Sequence, residues 1–108
     1  MSQPSTRTTQ LRFYRVNEGR LEEFVRGWRD GVAPLRRRFG FEVDEAWAGT
    51  EDDTFAWFVS YPGDAAAFRA ADERYYASPE RAALEPDPAA LLAETRAVFV
   101  RSVRVRGA

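Results

Sequence analysis

Residues 41–61, FEVDEAWAGTEDDTFAWFVSY, hold the pattern that decides the fold. From Phe41 to Ala48 the residues Phe41, Val43, Glu45 and Trp47 alternate with Glu42, Asp44, Ala46 and Ala48. That period of two predicts a strand. Gly49 to Asp53 is a polar turn, and Thr54 to Tyr61 is apolar at nearly every position. A run of that kind suits a strand covered on both faces. Two such segments joined by a short polar turn predict an antiparallel hairpin.

The flanking segments complete the pattern. Upstream, Leu11 to Val16 (LRFYRV) mixes branched, aromatic and charged residues in a short run, as a strand does. Asn17-Glu18-Gly19 then turns the chain, and Leu21, Phe24, Val25, Trp28, Val32, Leu35 and Phe39 follow at spacings of three and four. These spacings place them on one helical face. Glu22 and Glu23 suit the start of that helix and Arg36, Arg37 and Arg38 its end. Gly40 supplies the stop. Pro34 leaves the Asp30 carbonyl without its usual donor, so a kink is expected there.

Downstream of the hairpin, Pro62-Gly63-Asp64 ends the strand and offers Asp64 as a helix cap. Phe68, Ala71, Asp72 and Tyr75 then recur at helical spacing. Ser78-Pro79 predicts a second short helix running to about Leu84. Glu85-Pro86-Asp87-Pro88 breaks the chain again, with Asp87 capping a turn through Leu92. Arg96 to Arg106 reads as the last strand, its valines alternating with Arg104 and Arg106 in a way that protects a sheet edge.

The resulting order is βαββαβ. Its economical α+β fold is ferredoxin-like: a four-stranded antiparallel sheet with the helices on one face. Residues 1–9 are expected to be a flexible N-terminal tail and residues 10–106 a single domain. The strands carry Phe13, Tyr14, Phe41, Trp47, Phe55, Trp57, Phe58 and Phe99, so aromatic rings are expected on both sheet faces. Helices can cover only one face. A large apolar face left wet is unusual in a monomer, which predicts a homodimer.

Composition narrows the chemistry. The 108 residues contain no histidine and no cysteine, and all 16 basic residues are arginine. This removes the histidine, cysteine and lysine routes to acid–base, nucleophilic and metal chemistry near neutral pH. A net charge of −1 offers nucleic acid no general attraction. No stretch approaches the roughly 20 apolar residues of a membrane span. Neither a secretory leader nor a disulfide framework is expected, so the expected location is the cytoplasm.

The segment Leu11-Arg12-Phe13-Tyr14, then Gly19, Phe24, Trp28, Pro34, Phe39-Gly40-Phe41, Trp47 and the aromatic strand ending in Tyr61-Pro62, resembles a NIPSNAP-type domain. Arg69 and Ser78-Pro79-Glu80-Arg81 match the same pattern, and the resemblance spans roughly residues 10 to 105. It implies a dimeric α+β barrel, two sheets face to face around a cavity, with a poorly defined biochemical function. One departure stands out: where an aromatic is common two residues before the matched tyrosine, this chain has Val59, with Trp57 two places earlier. Related barrels that degrade haem rely on an axial histidine, commonly on the second helix. Here that region carries Arg69, Arg74, Tyr75 and Tyr76, so haem degradation is not expected and no cofactor is assigned.

Another branch of related barrels oxygenates electron-rich aromatic substrates without metal or flavin. Such chemistry needs a dry apolar cavity and groups that orient a phenol-like molecule. The ligand-binding candidates are Arg12, Tyr14, Trp47, Trp57, Tyr61 and Tyr76, with Arg12 placed to stabilise an enolate or phenolate. The plainer alternative is that the tryptophans fill the core and Arg12 pairs with a carboxylate such as Asp44. Glu42 and Asp44 are expected on one strand face with Glu45 opposed, and solvated carboxylates suit that pattern better than a metal site. The favoured reading is a homodimer whose barrel interior binds a small apolar or aromatic metabolite. The alternative is a cofactor-independent monooxygenase or cyclase acting on an aromatic, polyketide-like substrate.

Overall fold

A computed structural model describes residues 6–107. Strand β1 spans Arg7–Val16, β2 Glu42–Ala48, β3 Thr54–Pro62 and β4 Leu92–Val100. They form one sheet in the order β2-β3-β1-β4, every neighbouring pair antiparallel. This is the ferredoxin-like arrangement that the element order predicts. β1 begins at Arg7, so Arg7, Thr8 and Thr9 pair with Pro62, Tyr61 and Ser60 and do not belong to a tail. The part of the expected tail at residues 1–5 lies outside the described residues.

The first helical stretch comprises α1 (Leu21–Gly27), a π turn (Trp28–Val32) and α2 (Ala33–Arg38). The kink expected at Pro34 takes the form of this wider turn, in which the Ala33 N–H donates to the Trp28 carbonyl five residues back. The extra residue absorbs the donor that proline cannot supply. It also brings the chain close to the segment before β4. A Cβ on Gly31 would stand 3.3 Å from Leu84 Cδ2, and one on Gly27 3.4 Å from Pro86 Cγ.

Helix α3 spans Ala65–Ala77, and its Asp64 cap accepts a hydrogen bond from the Ala67 N–H at 2.9 Å. Ser78 caps α4 (Pro79–Ala82), which ends sooner than expected, and Asp87 caps a 3-10 turn at Pro88–Leu91. Each cap satisfies a backbone N–H that the helix itself leaves unpaired.

The helices pack on one sheet face. Tyr14, Val16, Phe55, Trp57 and Val59 point into that layer against Phe24, Val32, Leu35, Phe68 and Tyr75, all buried. On the other face lie Leu11, Phe13, Phe58, Val98 and Trp47, paired across the strands as Leu11 with Phe58 and Val98, and Ala56 with Phe13 and Trp47. Phe13 and Trp47 are 47% and 64% exposed. Aromatic rings do occupy both faces, as the strands predict.

Two strand expectations need correction. In β2 the pairing slips between Val43 and Glu45, a bulge centred on Asp44. The extra residue inverts the alternation after it. Glu45 and Trp47 therefore share the open face with Glu42, while Ala46 and Ala48 turn toward the helices. The expected opposition of Glu45 to Glu42 is not formed, and Glu42 accepts a hydrogen bond from Arg7. The last strand is Leu92–Val100, not Arg96 to Arg106. Val100 stands opposite Thr9, near the start of β1, so the residues that follow run out of a neighbour to pair with. Arg104 and Arg106 lie outside the sheet.

Candidate functional site

The helices do not cover the whole of their face. Thr95 and Ala97 of β4 lie opposite Tyr14 and Arg12, on the helix side of the sheet, yet both are exposed. Above them a cavity of about 330 Å³ runs inward beneath α1, the π turn and α3. Its floor is Gln10, Arg12 and Tyr14 of β1 with Trp57 of β3. Phe24, Trp28, Val32 and Arg36 form one wall, and Asp72, Tyr75 and Tyr76 of α3 with Arg81 form the other. Pro88, Ala89 and Leu92 border the β4 side.

Aromatic edges and faces interlock around this space. Trp28 meets Trp57 edge-on at 5.5 Å, and Phe24 meets Tyr14 at 5.7 Å and Phe55 at 5.1 Å. Such contacts hold ring orientation in addition to burying area. The walls are therefore rigid and apolar over most of their extent.

The charges are concentrated at one place. Arg12 donates from Nη2 to Asp72 Oδ1 at 3.0 Å, from Nη1 to the Tyr76 hydroxyl at 2.8 Å and from Nε to Gln10 Oε1 at 2.6 Å. Arg36 donates to the same Asp72 oxygen at 2.7 Å. Its guanidinium lies 3.9 Å from the Tyr75 ring centroid and 4.6 Å from that of Phe41, a cation held between rings. Desolvation works against the Arg12 charge, but the facing Tyr76 and Tyr14 hydroxyls and the Asp72 carboxylate outweigh it and hold the guanidinium above its usual pKa. Arg12 thus stays charged although it is only 6% exposed.

Burial also pushes the Tyr14 hydroxyl above its usual range, against the pull of Arg12, and does the same to Tyr75 against Arg36 and Arg81. Both phenols keep their protons in the fold at pH values where an unfolded tyrosine, with a pKa of about 10, loses its own. Above that pH the unfolded chain binds fewer protons than the folded one, so stability falls as pH rises. Melting temperatures followed across pH 9 to 11, roughly centred on that value, should decline. Tyrosinate absorbance should show part of the complement of 4 tyrosines ionising late. Synchronous titration of all of them with no loss of stability would contradict the burial of Tyr14 and Tyr75.

Four of the six sequence candidates come together here: Arg12, Tyr14, Trp57 and Tyr76. The other two do not. Trp47 sits on the opposite sheet face, placed there by the bulge, with its indole N–H 3.4 Å from Glu45. Tyr61 stacks obliquely on Phe41 at 4.9 Å and accepts a hydrogen bond from Arg74 at 3.2 Å, outside the cavity. The partner of Arg12 is Asp72 and not Asp44. The location differs as well. The candidates were expected between two facing sheets, yet those that converge do so inside one chain, under its own helices.

Sequence reasoning missed Arg36, Asp72, Trp28, Tyr75 and Arg81 as cavity residues. A signal existed for two of them. Arg36 follows Trp28 and Val32 at steps of four along the apolar stripe, and Asp72 lies between Phe68 and Tyr75 on the buried side of α3. Two opposite charges on apolar stripes of helices that share a core point to each other.

The fold defined by this sheet and these helices is that of the ferredoxin-like α+β proteins. Within that class the chain has a fold similar to that of NIPSNAP domain proteins. It is similar to an uncharacterised NIPSNAP domain protein from Burkholderia xenovorans, with 19% identity and a TM-score of 0.76 over 94% of this chain and 99% of that one. A NIPSNAP family protein of unknown function from Agrobacterium tumefaciens superimposes with a TM-score of 0.80 at 12% identity, over 93% of this chain and 91% of that one. A candidate antibiotic biosynthesis monooxygenase from Nitrosomonas europaea is more distant, with a TM-score of 0.68 at 14% identity over 99% and 100% of the two chains. At such low identity these likenesses establish the fold and not an activity. No family profile matches the chain, and no curated protein matches it in sequence. Among the described residues no helix is long and apolar enough to cross a membrane.

Proposed function

We propose that the protein is a homodimer in which each protomer binds a small, largely aromatic molecule in the cavity between its helices and its sheet. The observation that carries this reading is the cavity itself. About 330 Å³ of space is walled by Tyr14, Phe24, Trp28 and Trp57 and opens over Thr95 and Ala97. Rings fixed edge to face form a slot suited to a flat apolar body, and the few polar groups stand together at Arg12. Location in the cytoplasm is part of the same reading, supported by the lack of cysteine.

Trp28 and Trp57 report directly on occupancy. A neutral two-ring probe, naphthalene-2-carboxamide, is expected to change their fluorescence saturably and to raise the melting temperature. Ala97→Trp, which places a large ring at the mouth on a strand position that tolerates one, is expected to abolish both effects. An unchanged response in that variant would place the binding elsewhere.

The second copy is supported by the open sheet face, where Leu11, Phe13, Phe58, Val98 and Trp47 form an apolar surface that no segment among the described residues covers. A stable dimer interface needs about 800 Å² from each partner, which a four-stranded face can supply. Light scattering on the wild type is expected to give twice the mass of the chain. Phe13→Asp with Trp47→Glu is expected to give a folded monomer. A monomeric wild type at micromolar concentration would contradict the assembly.

A second reading, a cofactor-independent monooxygenase, is supported by one observation: a charged guanidinium at the edge of an apolar aromatic slot. A substrate deprotonated there would leave an enolate or phenolate for Arg12 to stabilise. With anthrone, the ring CH₂ would become C=O as one atom of dioxygen enters and the other leaves in water. Oxygen uptake with anthrone, lost in Arg12→Ala, is the expected result. No uptake by the wild type removes the reason for this reading and leaves the binding site intact.

A further inference from the structure

We infer that the cavity selects an aromatic molecule carrying one ionised acidic group, a carboxylate or an acidic phenol or enol, which is held at Arg12. This rests on the binding reading above and adds the charge that the ligand must bring.

Two guanidinium groups, Arg12 and Arg36, converge on a single carboxylate oxygen, Asp72 Oδ1, at 3.0 and 2.7 Å. One carboxylate cannot neutralise two cations, so the cluster holds one positive charge in excess. Arg81 adds none, since it is paired at 3.4 Å with Asp87. The two arginines in the cluster are not equivalent. Arg36 is 1% exposed, clasped by the Tyr75 and Phe41 rings, and takes the shorter bond to Asp72. Arg12 lies on the cavity floor, shares the same oxygen at the longer distance, and turns its remaining donors to the neutral acceptors Gln10 and Tyr76. Arg96, which also borders the cavity, is exposed on β4 opposite Phe13, where solvent screens it, so the buried unbalanced charge belongs to Arg12.

A cation in so apolar a setting gains more from an anion than the same cation would in water. The surroundings favour an acceptor in another way. The Tyr76 hydroxyl accepts from Arg12, so its own proton is free to be donated.

The test compares three probes with one ring system on the wild-type protein: 2-naphthoate, naphthalene-2-carboxamide and 2-methylnaphthalene. Calorimetry and tryptophan fluorescence are expected to show the naphthoate binding at least about tenfold more tightly than the carboxamide, the advantage of a charge-assisted pair over a neutral hydrogen bond. Arg12→Gln, which keeps a polar side chain and removes the charge, is expected to abolish that preference while the carboxamide still binds. Should Arg12→Gln fail to fold, the preference of the wild type decides alone. Equal affinity for naphthoate and carboxamide would overturn the charge assignment and leave the aromatic site standing. Failure of all three probes to bind would overturn both.

Discussion

Replacing Asp72 with alanine is expected to destabilise the protein by about 3–5 kcal/mol, the usual cost of leaving a buried ion without its partner. The side chains of Arg12 and Arg36 are only 7% and 1% exposed, and both lose their carboxylate in this variant. A domain of this size has roughly 5–15 kcal/mol in total, so the loss is a large share of it. Urea unfolding measures it. Asp72→Asn keeps an acceptor for one arginine and removes the charge, so its loss should fall between wild type and Asp72→Ala. The deficit should also respond to ligand, because an aromatic acid bound at Arg12 restores part of the missing negative charge and stabilises by mass action. A loss under about 1 kcal/mol, the range of an exposed ion pair, would mean that the cluster is solvated and that its excess charge carries no consequence for binding.

The other large effect is expected from Phe24→Ala. Phe24 is 1% exposed and packs on Tyr14 and Phe55 while its ring closes one wall of the cavity. Removing a buried phenylalanine costs about 3–5 kcal/mol, part of it from the void left behind. Here the void joins an existing cavity, which gives the variant a second signature. A three-ring acid such as anthracene-2-carboxylate should bind Phe24→Ala more tightly than it binds the wild type, and should recover more of the lost stability than 2-naphthoate does. Equal destabilisation with no change in size preference would show that Phe24 packs the core without bounding the site.

The fold was largely legible because most elements carry a local signal: period in β2 and the longer helices, residue type in β1 and β3, and caps at the short helical turns. The hairpin of residues 41–61, the stripe from Leu21 to Phe39 and the caps at Asp64, Ser78 and Asp87 all act locally, through side-chain alternation or a side chain bonding its own backbone. What stayed hidden depended on distant residues. The β2 bulge at Asp44 exists only in the pairing with β3, and it alone decides that Trp47 faces away from Trp57. The bounds of β4 are fixed by its pairing with β1, from Leu92 opposite Val16 to Val100 opposite Thr9, which the residues Leu92 to Thr95 do not signal on their own.

The candidate site divides along the same line. Arg12 and Tyr14 share a face by the alternation of β1, but that Arg12 stands directly opposite Trp57 depends on the register with β3, which the residues of either strand do not give. The junction with the helices was not readable, because a strand pattern does not say which face the helices cover. A cavity between two sheets was therefore as consistent with the residues as one beneath the helices. Arg36 looked like one of three arginines at a helix end. Only the folded chain shows it turned inward to Asp72, while Arg37 next to it donates to the Val43 carbonyl.

A crystal structure of the protein with 2-naphthoate bears most directly on where the ligand sits and what holds it. The expected result is a naphthalene ring among Tyr14, Trp28 and Trp57, with its carboxylate against the Arg12 guanidinium. A ring found between two facing sheets beside Phe13 and Trp47, or an empty cavity at saturating ligand, would contradict it.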